Sequence, residues 1–213
     1  LKVAVDSLII MNKEIQFNQS YNLLKYNFKN LKNEISEFVD YYFPYLKNHT
    51  MNQELKDKFY LTWENKYNSI DFNFNNFVHK DFNLNNLIYL PERKDYKKCG
   101  IIDFQDAFWG QNSWDLFSLL EDSRVYFDNQ YNDYFIEYFF KNTNPKQSYL
   151  DFKNIYHFLN VSRQTRLLGR WIKLSSNNNQ NSYLNYIEST KKRLYHSLND
   201  PFMKELKIIY NNI

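Results

Sequence analysis

The chain has 213 residues, a formal net charge of +3 from 27 basic and 24 acidic side chains, and a single cysteine. That length suits one domain or one large lobe, and the near-balanced charge gives no case for nucleic acid, which needs a basic stripe on one face. No apolar run approaches the roughly 20 residues of a membrane span, no secretory leader opens the chain, and the lone Cys99 excludes an internal disulfide and fits a reducing cytoplasm.

Aromatic residues make up 20% of the chain and hydrophobic residues 43%, so nineteen Tyr and nineteen Phe supply much of the candidate core. Leu1, rather than Met, stands first and already lies in an apolar periodic segment, as expected of a piece of a longer protein. Val3, Leu8 and Ile9 begin a helical pattern that fades near Asn12. A longer helix is predicted from about Tyr21 to Tyr45, with Leu24, Phe28, Leu31, Ile35, Phe38, Val39 and Tyr42 on one face and Pro44 as its stop. Leu55, Phe59, Leu61–Trp63 and Tyr67 predict another.

The pattern changes between Phe77 and Phe104. Phe77-Val78 is a short apolar run. Residues 86–91 and 98–103 read as two strands of one hairpin around the charged loop 92–97. From Ser113 the chain turns helical again, with Asn112 and Ser113 as cap candidates and Leu116, Phe117, Leu119 and Leu120 as the apolar face. Further helices are predicted over Tyr131–Phe140, Leu150–Leu174 and Leu184–Ile209, with Ser175 to Ser182 as a flexible surface loop. The expected class is α+β, mainly helical: helices over 1–75, a loop and hairpin over 76–110, and helices over 111–213.

The chemistry-bearing residues lie in the middle block. His79-Lys80-Asp81 is followed by Asn86, five positions after the aspartate. Phosphoryl transfer needs a carboxylate that accepts the proton of an acceptor hydroxyl, and oxygen ligands for a cation that offsets phosphate charge. If strands 86–91 and 98–103 pair around their loop, Asn86 sits opposite Asp103, and directly opposed Cβ atoms lie about 4.5–5.5 Å apart. Asp81, in the loop entering that end, is then nearby.

These residues resemble the catalytic segment of the aminoglycoside phosphotransferase and choline-kinase-like enzymes, relatives of the protein kinases. His79, Asp81 and Asn86, then Ile101-Ile102-Asp103-Phe104, fit the family pattern position by position. The resemblance implies the C-terminal lobe of a protein-kinase-like fold spanning 1–213. It implies Asp81 as the catalytic base, His79 as a brace, and Asn86 and Asp103 as ligands of Mg²⁺ and, through it, of ATP. Asp115, in Asp115-Leu116, would tie down the catalytic loop. The run from Ile101 to Gly110, with Gln105-Asp106-Ala107, followed by Ser118-Leu119-Leu120 and Asp122, is similar to the anomeric sugar kinases of cell-wall recycling, which act on N-acetylmuramate and N-acetylglucosamine. Lys80 stands where Gly or Arg is common and Asn83 where His is common, both on the expected substrate side of the loop.

Other positions admit two readings. Asp106 contacts substrate or caps a turn. Trp109 and Trp114 pack the core or stack on a sugar, with packing favoured. Arg163, Arg166 and Arg170 share a helical face that is either an anion-binding wall for substrate or a solvated surface. Only Gly100, Gly110 and Gly169 are glycines, so no phosphate-cradling loop is present. The ATP-gripping N-terminal lobe of the same protein is therefore expected to be absent, and the fragment alone is expected to be inactive. The expected partners are that lobe and a small molecule, an amino sugar foremost, with no nucleic acid and no membrane. An aminoglycoside or choline/homoserine-type kinase is the runner-up. A non-catalytic binding module and a helical scaffold are the rivals outside enzymology, and the intact Asp81, Asn86 and Asp103 weigh against both.

Overall fold

A computed structural model describes residues 1–125, 127, 129–178 and 181–213. The chain divides into two compact units, each built from two separate stretches: residues 1–26 with 72–156, and residues 27–71 with 157–213.

The first unit carries helix α1 (Lys2–Glu14), four short strands, α5 (Trp114–Leu120), α6 (Asn129–Thr143) and the start of a later helix. α1 buries Ala4, Val5, Leu8 and Ile9 and packs against α6. Strand β1 (Asn76–Val78) pairs antiparallel with β4 (Phe108–Gly110), placing Phe77 opposite Trp109. β2 (Leu87–Tyr89) pairs antiparallel with β3 (Cys99–Ile101). The segment before residue 27 lies along β4: Trp109 N–H donates to the Leu24 carbonyl at 2.8 Å and Tyr26 N–H to the Trp109 carbonyl at 2.9 Å.

The second unit holds α2 (Phe28–Glu37), a π-helical turn over Phe38–Tyr42, α3 (Phe43–Lys47), α4 (Gln53–Asn68), most of α7 (Tyr149–Asn178), α8 (Ile187–Leu198) and α9 (Lys204–Asn211). Its core is aromatic. Phe38 stacks on Phe59 at 5.7 Å, and Trp63 packs on Phe158 at 5.4 Å. Gly169 lies where α7 meets the start of the π-helical turn, and a Cβ there would run into the Glu37 carbonyl.

Several expectations are corrected. The predicted helix from Tyr21 begins only at Phe28, because Asn27 and Asn30 form a reciprocal capping box, the Asn27 side chain accepting from Asn30 N–H at 3.2 Å and Asn30 from Asn27 N–H at 3.0 Å. Pro44 does not stop it. It stands in the first turn of α3, just past the π-helical turn over Phe38–Tyr42, which widens the ladder where its N–H is missing, and Asn48 ends the run at φ 60°. Of the expected loop from Ser175 to Ser182, residues 175–178 continue α7, Asn181 and Ser182 start a 3₁₀ turn over 181–186, and Asn179 and Gln180 lie outside the described residues. The predicted helix to Ile209 is broken at Asp200-Pro201, where Asp200 caps a short 3₁₀ turn. Trp109 and Trp114, in contrast, follow the favoured packing reading: they are 2% and 1% exposed. Among the described residues no helix is long and apolar enough to cross a membrane.

Candidate active site

The site is built on the segment between β1 and β3. His79 follows directly on β1, and its peptide N–H donates to Asp115 Oδ2 at 2.7 Å. The next N–H, that of Lys80, donates to Asp115 Oδ1 at 2.9 Å. Asp115 lies in the first turn of α5 and is 4% exposed, so one buried carboxylate holds two consecutive peptide groups. Ser118, three residues further along that helix, donates its hydroxyl to the Lys80 carbonyl at 3.3 Å. The clamp is needed because Lys80 is held at φ 81°, a left-handed conformation unfavourable for a residue with a Cβ.

The His79 imidazole turns inward, edge-on to the buried Phe82 ring. Its Nε2 lies 2.9 Å from the Ile102 carbonyl. A carbonyl only accepts, so Nε2 carries the hydrogen. Burial pushes its pKa down, against opposing pulls from the Ile102 carbonyl and the charges of Asp81 and Asp103. His79 thus joins the entrance of this loop to the end of the hairpin.

Asp81 leaves the loop with its side chain half-buried and its carbonyl turned in. That carbonyl accepts from Asn83 N–H at 2.9 Å, Asn83 Nδ2 at 2.9 Å and Asn86 Nδ2 at 2.8 Å. Asn83 is 5% exposed and spends its amide on the loop, also accepting Asn85 N–H at 3.1 Å. It braces the loop from within and does not stand on an open substrate side. The signal was available in sequence, since Asp-Phe-Asn favours an Asx-type turn.

Asn86 joins the two halves. Its Nδ2 donates to the Asp81 carbonyl and, at 3.3 Å, to Asp103 Oδ2. Both partners are acceptors only, which fixes the amide's orientation, engages both hydrogens and leaves Oδ1 as the atom on offer. The meeting with Asp103 is achieved differently from the sequence expectation. The hairpin register is Leu87↔Ile101, Ile88↔Gly100 and Tyr89↔Cys99, which places Asn86 opposite Ile102, and Ile102 N–H donates to the Asn86 carbonyl at 3.1 Å. Asp103 lies one residue past that pair and returns to Asn86 because its backbone turns at φ 70°. Gln105 Nε2 then donates to Asp103 Oδ1 at 2.7 Å. Ser118 and Gln105 have contacts in this site that sequence reasoning did not assign.

An exposed Asp103 carboxylate beside the Asn86 side-chain Oδ1 suits Mg²⁺, which takes one or two protein oxygens and fills its shell with water and phosphate. Among the described residues no group of three or more His, Cys, Asp or Glu side chains could hold a metal ion. A site of this kind is therefore incomplete without phosphate or water. Asp106 is exposed, in a turn closed by Ala107 N–H on the Phe104 carbonyl at 3.1 Å.

Arg163, Arg166 and Arg170 belong to the other unit, and the last two meet carboxylates there. Arg170 forks onto Glu37 with Nε–Oε2 and Nη2–Oε1 distances of 2.8 Å. Arg166 lies 3.9 Å from Glu34, and Arg163 is 4% exposed. Arg166 and Arg170 thus face carboxylates of their own unit, and Arg163 is buried rather than solvated.

Residues 73–149 match the family model described as "Phosphotransferase enzyme family". The chain is 30% identical over 131 residues to an N-acetylmuramate/N-acetylglucosamine kinase of Caulobacter vibrioides, a match covering 62% of this chain and 36% of that protein. It is 27% identical over 129 residues to a protein of the same name from Neisseria meningitidis serogroup B, covering 55% of this chain and 37% of that one. The matched region thus spans little more than a third of the length of these relatives. Among solved structures, a choline/ethanolamine kinase family protein from Mesorhizobium loti superposes with a TM-score of 0.63 at 12% identity, over 98% of this chain and 65% of that one, and shares the fold. Through the stretch that carries His79, Asp81, Asn86, Asp103 and Asp115, this chain therefore resembles the phosphotransferase enzyme family.

Proposed function

We propose that this chain is the catalytic-loop portion of an ATP-dependent small-molecule phosphotransferase whose acceptor is an amino sugar, phosphorylated at its anomeric hydroxyl. The observation that carries the reading is the Asn86 bridge, which couples the Asp81 carbonyl to the Asp103 carboxylate through one amide group. The names of the curated relatives support the sugar as acceptor.

In this reading Asp81 accepts the proton of the acceptor hydroxyl as the hydroxyl oxygen bonds to the γ-phosphorus of ATP and the bond from that phosphorus to the departing ADP breaks. Asp115, Ser118 and His79 do not touch substrate. They hold the loop so that the Asp81 carboxylate need not reorganise during the reaction. Asn86 Oδ1 and Asp103 would hold Mg²⁺, which on binding offsets the phosphate charge. Beside them the hairpin exposes Ile88, Tyr89, Ile102 and Phe104, by 46%, 65%, 46% and 66%. Ile88 and Ile102, two exposed apolar side chains on one face of the hairpin beside a polar centre, suit the packing of a second, ATP-gripping lobe belonging to a longer protein, which would work in the cytoplasm.

The test uses the full-length protein. Asp81→Asn is expected to lower turnover by about 10²–10⁴-fold while leaving nucleotide affinity near wild type. With N-acetylmuramate or N-acetylglucosamine the wild-type product is expected to be an acid-labile sugar 1-phosphate. Activity on choline or an aminoglycoside, with silence on both sugars, would move the acceptor and keep the reaction. Unchanged turnover in Asp81→Asn would remove the proposed base.

A further inference from the structure

We infer that Gln105 is a positioning residue for Asp103, and that its bond tips the Asn86/Asp103 pair toward a small divalent cation over a large one. The inference rests on the reading that this pair holds the metal.

The Asp103 carboxylate is held at both edges. Oδ1 carries the short bond from Gln105 Nε2 at 2.7 Å, and Oδ2 the longer one from Asn86 Nδ2 at 3.3 Å. A carboxylate is an acceptor only, so Gln105 must present its NH₂ and not its carbonyl oxygen. Two features hold that amide in place. Asp103 sits at φ 70°, so the chain reverses there, and the following turn is closed by Ala107 N–H on the Phe104 carbonyl, with Gln105 as its second residue. The backbone thus delivers the Gln105 amide to the outer oxygen of the residue two positions before it.

The consequence is electrostatic. A donor hydrogen on Oδ1 places positive partial charge at that oxygen and lowers its value to a cation. Oδ2, with the longer bond, is the oxygen that remains. A carboxylate that offers one oxygen suits Mg²⁺, with its tight octahedron. Ca²⁺ takes longer bonds and more of them, and gains from a carboxylate that offers both oxygens. Partners of a ligating carboxylate commonly change metal affinity when removed.

The experiment titrates Mn²⁺ into this chain, following water-proton relaxation, and then displaces it with Mg²⁺ or with Ca²⁺. Gln105 is exposed, so Gln105→Leu should leave the fold intact. Wild type is expected to yield Mn²⁺ to Mg²⁺ more readily than to Ca²⁺, and Gln105→Leu to shift that preference toward Ca²⁺ by about ten-fold. Asp103→Asn is expected to abolish Mn²⁺ binding. If Asp103→Asn loses Mn²⁺ but Gln105→Leu keeps the wild-type preference, the role of Gln105 is overturned and the metal reading stands. If Asp103→Asn binds Mn²⁺ like wild type, or wild type binds none, the metal reading fails and this inference with it.

Discussion

In the helical unit, Phe38, Phe59, Trp63 and Phe158 are each 2% exposed or less and lock face to edge and face to face. Between His79 and Asp103, by contrast, definition comes from side chains that reach backbone groups: Asp115 to two peptide N–H groups, Ser118 to the Lys80 carbonyl, Asn83 and Asn86 to the Asp81 carbonyl, His79 to the Ile102 carbonyl. Shape in the first region is a matter of volume. In the second it is a matter of donors and acceptors, which hold two non-glycine residues, Lys80 and Asp103, at positive φ. Packing tolerates a wrong atom poorly but does not specify a single direction for a polar group. Hydrogen bonds do, and a centre that must present a carboxylate needs direction.

The largest effect should come from the packed region. Gly169→Val would force side-chain atoms into the Glu37 carbonyl, where both partners are backbone and neither can swing away. The expected loss is about 3 kcal/mol or more, at the upper end of overpacking effects. Urea denaturation would check it, and a loss below 1 kcal/mol, itself on the order of ordinary surface effects, would mean that the two backbones separate freely.

The polar region breaks differently. Asp115→Ala removes a 4% exposed carboxylate and leaves the His79 and Lys80 N–H groups without it. Stranding buried donors costs about 1–3 kcal/mol each, so a total loss of about 2–3 kcal/mol is expected once water reaches the more open of the two. Asp115→Asn should recover part of this, because an amide keeps one acceptor. The two variants thus separate geometry from volume: if Asn is as damaging as Ala, the carboxylate acts through its charge and not through its paired bonds.

Much of this division was legible in the sequence, and what was not has a physical cause. The spacing of His79, Asp81 and Asn86 and the nearness of Asp103 are local features, and the structure brings these residues together. The register differs from the expected one by one residue because the connection over 90–98, with its 3₁₀ turn at Asp95–Lys98, sets it, and three-residue strands carry too little pattern to fix it; the turn at Asp103, φ 70°, leaves no mark in composition either. The pairing of β1 with β4 joins residues thirty or more positions apart, and period-two patterning over three residues is too short to reveal it. The start of α2 was readable after all, in the Asn27/Asn30 pair, but the apolar spacing upstream suggested a longer helix. The engagement of Arg166 and Arg170 with Glu34 and Glu37 required knowing which helices face each other, which periodicity does not provide.

The smallest expected effect concerns pH, and it falls on the polar region alone. His79 is 1% exposed, its Nε2–H is committed to Ile102, and its Nδ1 meets no hydrogen-bond partner among the described residues. Charging the ring therefore means placing a second N–H, and a positive charge, in a dry position. Burial depresses the pKa, and the Ile102 carbonyl and the Asp81 and Asp103 carboxylates offset only part of that. In the unfolded chain a histidine titrates near 6.5. Between that value and the lower folded value the unfolded state binds more protons, so stability rises with pH through the window. The contribution of His79 is complete above about 6.5, where the ring is neutral in both states, and it is lost as the pH falls from there toward the folded value. His79→Gln keeps an N–H for the Ile102 carbonyl but cannot titrate. Urea denaturation of wild type and variant from neutral pH downward should show the wild type losing stability relative to the variant below about 6.5, while the other histidines contribute equally to both curves. A difference that stays flat across that range, or one that grows in favour of the wild type as the pH falls, would mean that the ring accepts its proton in place, stabilised by Asp81 and Asp103, and that the loop is held by charge after all.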